Sequence, residues 1–190
     1  MYKGNNMGEL RQPIPVKLFV GMIFGSESVA NEIQQILEEK YGTMDFISPA
    51  WEFNFTQYYE AEMGKTLWKK FFSFEKLIDP VDLADIKLAT NDIESHYLSS
   101  TGRIANLDPG YLTSAKVILA TTKDFSHRIY LQKGIYAEIT MSYKKGKGFV
   151  FSPWTYPDFQ SENYVNYFLK LREIFMRQLA ERKRAGLLVR

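Results

Sequence analysis

Apolar positions along this chain change period several times, and each change marks an element. Val16–Phe24 is a nearly continuous apolar run, the pattern of a strand covered on both faces. Ser26 and Ser28 then offer caps to a helix with Val29, Ile33, Ile36 and Leu37 on one face, ending at Gly42. Asp45–Ile47 is a second strand candidate, broken by Ser48-Pro49. Between Trp51 and Thr66 the pattern first alternates like a strand and then reads as a turn. Leu67–Leu77, rich in aromatics and bounded by Gly64 and Asp79-Pro80, predicts a further strand. Asp79 caps the next helix, with Pro80 at its first position and Leu83, Ile86, Ile93 and Tyr97 as its apolar stripe. Arg103–Leu107 predicts a short strand, ended by the turn signal Asp108-Pro109-Gly110.

This order is β-α-β-β-α-β, so the expected fold class is α+β with a ferredoxin-like core: an antiparallel sheet with both helices on one face. An antiparallel β-extension follows. Leu112–Leu119 has helical spacing, although Val117–Thr122 fits a strand equally well. Strands are expected at His127–Leu131, Ile135–Tyr143 and Phe149–Phe151. A three-residue loop of Gln132, Lys133 and Gly134 would put glycine at the left-handed position. It sets Leu131 against Ile135, Tyr130 against Tyr136, Ile129 against Ala137 and Arg128 against Glu138. His127, Ile129, Leu131, Ile135, Ala137 and Ile139 would then share one face, and Arg128, Tyr130, Tyr136 and Glu138 the other. A long C-terminal amphipathic helix starts near Asp158, with Tyr164, Phe168, Leu171, Phe175 and Leu179 at three- and four-residue steps. The expected organisation is a flexible arm over 1–14, one domain over 15–185 and a tail over 186–190.

Composition narrows the function classes. At 190 residues and 45% apolar, the chain can bury a core without metal or disulfide help. With no cysteine there is no disulfide, thiolate nucleophile or cysteine-bound zinc, which suits a reducing cytoplasm. No apolar run has the length of a membrane span, and the start of the chain lacks the apolar core of an export signal. The net charge of +2 is not that of a general nucleic-acid binder. Seven basic residues, Arg182, Lys183 and Arg184 among them, nevertheless gather from Lys170 onward against Glu173 and Glu181. They could simply answer the helix dipole, or they could contact RNA or a protein partner.

Candidate chemistry concentrates between Asn106 and Thr140. Asp108, Lys116, Asp124, His127, Arg128 and Glu138 fall within this otherwise apolar span. Asp124 could orient the His127 imidazole as an acid–base pair, and Arg128 could clamp a phosphate or carboxylate through its planar fork. The carboxylates with one histidine could also hold Mg2+ or Mn2+. The plainer reading is a turn cap at Asp124, a cross-strand Arg128–Glu138 pair and a core histidine. Trp154 and Tyr156, between prolines, could stack a base or sugar, or plug a sheet edge. Gly64-Lys65-Thr66 matches the end of a P-loop. Tyr59, however, stands where the first glycine belongs, and strand-like rather than helical sequence follows.

Across Asn106–Leu131 (NLDPGYLTSAKVILATTKDFSHRIYL), Gly134–Thr140 (GIYAEIT) and Phe151–Asp158 (FSPWTYPD), the chain resembles a prokaryotic family catalogued as domain of unknown function 4416. The resemblance covers nearly the whole chain and implies a single domain without an established reaction. Some similar proteins carry a GTP-binding label, against which the missing P-loop glycine argues. The functional expectation is a cytoplasmic protein binding a small anionic ligand, a nucleotide or phosphorylated metabolite, at the His/Arg/carboxylate cluster. Were it an enzyme, hydrolase or transferase chemistry with His127 as acid–base would follow. The alternative is a non-catalytic RNA- or protein-binding adaptor using the basic C-terminal helix.

Overall fold

The computed structural model describes residues 12–187, so most of the expected arm and the last residues of the tail lie outside it. Strand β1 (Lys17–Phe24) is buried along its whole length, as its nearly continuous apolar run predicts, and it carries Lys17 into the interior. Helix α1 (Glu27–Tyr41) follows, then β2 (Met44–Ile47), β3 (Trp51–Glu52), a single turn of helix α2 (Glu60–Met63) and β4 (Trp68–Phe74). The Asp79 side chain accepts from the Val81 amide at 3.1 Å and starts a 3-10 turn that runs into α3 (Leu83–His96). A small hairpin, β5 (Leu98–Ser99) and β6 (Gly102–Arg103), leads to β7 (Ala105–Leu112) and β8 (Lys116–Thr121). Three more strands, β9 (Ile129–Gln132), β10 (Ile135–Lys144) and β11 (Gly148–Phe151), precede α4 (Glu162–Arg184). Ser161 caps α4 through the Tyr164 amide.

The molecule is a mixed α/β protein built on one large antiparallel sheet, ordered β11-β10-β8-β7-β1-β4-β2, with β9 beside β10 and β3 beside β4. Period-two alternation splits its apolar residues between two cores. Leu18, Val20, Met22, Phe72, Phe74 and Leu107 face α1 and α3 through Ile33, Leu37, Ile86 and Ile93. Phe19, Phe71, Leu112, Val117, Met141 and Phe149 face α4 through Tyr164, Phe168, Leu171 and Phe175. Each fully buried side chain of this size contributes about 1.5–3 kcal/mol, so both layers hold the sheet. Among the described residues no helix is long and apolar enough to cross a membrane.

Several local expectations are resolved by the sheet. Asp108-Pro109-Gly110 is not a turn: β7 runs straight through it, paired with β1 from Ala105 to Leu112. Of the two readings left open from Leu112 onward, the strand at Val117–Thr122 holds: β8 fills the sheet with β-branched and apolar residues. In the β9–β10 hairpin the loop has two residues, Lys133 (φ 53°) and Gly134 (φ 76°), both left-handed. Gln132 therefore opposes Ile135, and an irregularity after it restores the expected Tyr130–Tyr136 and Ile129–Ala137 pairs. His127 precedes the strand, in a turn closed by the Arg128 amide on the Phe125 carbonyl at 2.8 Å. Ile129 still shares a face with Ala137 and Arg128 still meets Glu138, as expected, but Ile129 is 70% exposed while Glu138 is only 3% exposed, and His127 reaches Glu138 from the turn.

Candidate functional site

The site begins with a fork in the sheet. β7 and β8 pair only at Gly110–Leu119, Tyr111–Ile118 and Leu112–Val117. The next positions in that register are Pro109, which has no N–H to give, and Ala120. Two residues beyond Pro109, at Leu107, helix α3 takes over the hydrogen bonds that a neighbouring strand would make. The Leu107 amide donates to Glu94 Oε1 at 2.7 Å, and its carbonyl accepts from Lys87 Nζ at 2.7 Å. Gly110 lets the strands meet closely just before they part, because a Cβ there would lie 2.3 Å from the Ile118 carbonyl oxygen.

Two adjoining cavities lie at this fork. One, of about 380 Å³, has aromatic walls from Phe53, Phe55, Tyr58, Tyr59, Phe125, Tyr156 and Phe159, with Lys69, Arg128, Asp108, Glu138 and Asp158 among its lining. The other, of about 340 Å³, is polar and includes Lys87, Asn91, Glu94, Arg103 and Asn106. Tyr58, Tyr59, Asp108, Thr121, Lys123 and Tyr156 border both. Lys123 bridges the rim, its ammonium 4.6 Å from the centre of the Tyr58 ring.

Charged groups run through the fork as one network. Lys69 on β4 crosses above Gly21 to donate to Asp108 Oδ2 at 3.2 Å, a path left open only because residue 21 has no side chain. Asn106 donates to the same oxygen at 2.8 Å, while the Lys87 ammonium stands 3.8 Å from the other. Burial alone would push the Asp108 carboxyl up, but Lys69, Lys87 and the hydrogen bonds hold it below the ordinary range. Arg103 then ties Asn106 at 2.9 Å to Glu94 at 3.1 Å and Glu62 at 2.9 Å. Burial raises Glu94, with Lys87 opposing, and likewise raises Asp158, with Lys69 opposing.

A second cluster closes the aromatic cavity. Arg128 Nε donates to Glu138 Oε2 at 2.8 Å, and its two terminal nitrogens reach the Lys123 carbonyl at 3.0 Å and the Tyr156 hydroxyl at 2.9 Å. Its guanidinium also lies 4.5 Å from the centre of the Phe125 ring. His127 Nε2 is 3.1 Å from the same Glu138 oxygen, and the imidazole stacks on Trp154 at 5.1 Å. Trp154 is held in turn by its indole N–H on the Ile139 carbonyl at 3.0 Å. Glu138 Oε1, by contrast, is buried with no hydrogen-bond partner.

A family described as Domain of unknown function (DUF4416) matches residues 14–175. The chain belongs to this family. The match contains every residue of the fork and both cavities, and it stops before the basic end of α4. No curated protein and no solved structure matches the chain significantly.

In this DUF4416 chain, Asp108, Arg128, Glu138 and Tyr156 all line the aromatic cavity. His127 and Trp154 stand behind Glu138 rather than in the lining, and the carboxylate at the imidazole is Glu138, not Asp124. Asp124 is exposed and lines neither cavity. Lys116 lies away from the fork, opposite Ser142 on β10. Among the described residues no three His, Asp or Glu side chains are grouped to share an ion, so the expected Mg2+ or Mn2+ set does not assemble. Asp108 is committed to two ammonium groups and Glu138 to Arg128 and His127.

Sequence reading missed Lys69, Lys87, Glu94 and Asp158. Two of the signals were present. Lys69 alternates with the buried Phe71, and Leu83, Lys87, Thr90 and Glu94 repeat at helical spacing on one buried face of α3.

Proposed function

We propose that this protein binds a small anionic ligand, a nucleotide or phosphorylated metabolite, in the forked-sheet cavities. The fork itself carries the reading. Two buried charged residues, Lys87 and Glu94, satisfy the backbone of Leu107 in place of a strand and so keep β7 and β8 apart. A fold with no use for the gap would close it with ladder hydrogen bonds at lower desolvation cost. Lys69, Lys87, Lys123, Arg103 and Arg128 supply the positive groups. Aromatic walls on one side and polar walls on the other suit a ligand with a flat apolar part and a charged part.

The proposed frame for this site is a ferredoxin-like core over residues 17–112. The order β7-β1-β4-β2 and the packing of α1 and α3 against one face support it. Binding is favoured over catalysis because His127, the candidate acid–base, faces Glu138 rather than the cavity. The adaptor reading rests on Lys183 and Arg184, exposed in the last turn of α4, where they also answer the helix dipole.

Thermal shift with inorganic phosphate, ribose 5-phosphate and mononucleotides tests the binding reading. At least one of these anions is expected to raise the Tm of the wild type and to lose that effect in Lys69→Met, while Lys17→Met still responds. A panel without effect, or an undiminished response in a folded Lys69→Met, overturns the reading.

A further inference from the structure

We propose that Glu138 reads the ligand, and that the aromatic cavity takes a planar heterocycle presenting an N–H donor, as an aminated or oxo-purine does. This inference rests on the anion-binding reading and assigns the opposite end of the same ligand. Glu138 has one oxygen occupied twice, by Arg128 Nε at 2.8 Å and His127 Nε2 at 3.1 Å, and one oxygen buried with no partner. An unpartnered buried carboxylate oxygen is costly, and a donor brought by a ligand recovers that cost.

The carboxylate cannot easily turn to bring its free oxygen elsewhere. Arg128 is fixed by the Lys123 carbonyl and the Tyr156 hydroxyl, and His127 by its stack on Trp154. Phe53, Phe55 and Tyr156 are among the aromatic side chains lining the same cavity. The charged part of the ligand is left to Lys69 and the polar cavity beyond Asp108. A ring with only acceptors on its edge would set lone pair against lone pair at Glu138.

Titration calorimetry on the full chain compares the 5′-monophosphates of adenosine, guanosine and inosine with that of purine riboside, which keeps ring, sugar and phosphate but has no N–H on its base. Ribose 5-phosphate serves as the ringless control. The best N–H-bearing purine is expected to bind about tenfold or more tightly than the purine riboside nucleotide, the range for a hydrogen bond to a charged group. In Glu138→Gln the amide oxygen stays with Arg128 and His127 and its NH2 takes the free position. The preference should then vanish or reverse, with ribose 5-phosphate affinity unchanged. Equal binding of all four nucleotides by the wild type overturns the inference, as does a preference that survives Glu138→Gln. So does binding of ribose 5-phosphate alone, and in each of these cases the anion site stands. No binding by any probe overturns both. If Glu138→Gln does not fold, the wild-type comparison alone decides.

Discussion

Lys17 and Lys69 stand on the same face of the sheet, and each is at most 1% exposed, yet their surroundings differ in kind. Lys17 is fully engaged: its ammonium meets the Asp45 carboxylate, the Phe74 carbonyl at 2.6 Å and the Gln178 side chain at 3.0 Å. Three donors find three acceptors, and strands β1, β2 and β4 are joined to α4. Lys69 has Asp108 as its one hydrogen-bonded acceptor among the described residues, and it borders a cavity of about 380 Å³. The first arrangement is what a buried charge needs in order to serve structure alone. The second leaves the ammonium with fewer acceptors beside a cavity, as the proposed anion site requires. Burial is the same in both; the number of satisfied donors is not.

Paired substitutions break this contrast most sharply. Lys17→Met should cost about 3 kcal/mol in urea unfolding, since it strands a partly buried Asp45 and unties α4, while Lys69→Met should cost about 1 kcal/mol. Equal losses would erase the distinction. Gly21→Ala comes next, at about 2 kcal/mol. Its Cβ would fall 2.9 Å from the Phe71 ring and 3.0 Å from the Lys69 side chain, forcing the lysine off Asp108. A fully stable Gly21→Ala with unchanged anion response would show that Lys69 does not need that path.

The smallest effect is expected at Asp158, beside Lys69. Its folded carboxyl is raised by burial, so the native state keeps its proton to higher pH than the unfolded chain does. Stability is then lost as pH rises from the ordinary aspartate range through the folded value. Asp158→Asn removes that loss. The variant should match the wild type in acid and be the more stable of the two at neutral pH, read from Tm against pH. A gain that grows instead toward acid would mean the carboxyl is held low.

Much of the frame was legible in the residues. The runs at Val16–Phe24 and Tyr164–Leu179, the Asp79-Pro80 start of α3 and the cross-strand Arg128–Glu138 pair all follow from local periodicity. The fork was not, because it depends on contacts distant in sequence. Asp108-Pro109-Gly110 carries strong turn chemistry, yet β1 pairs with it along its length, and proline and glycine act instead where one ladder stops and two backbones touch. Lys87 and Glu94 escaped notice because only apolar residues were counted on the buried stripe of α3. Their partner is the backbone of Leu107, which no side-chain pattern reveals.

The β7–β8 seam is only three residue pairs long, so the sheet offers little resistance to twisting there. What spans it is α4, whose Phe168 and Phe175 share one core with Phe19 and Phe71 on one side and with Val117 and Met141 on the other. The stiffness of the cleft is thus set by a clasp that touches none of its contents. Trimming an aromatic ring on that helix should weaken the proposed binding without altering a single group that lines the cavities.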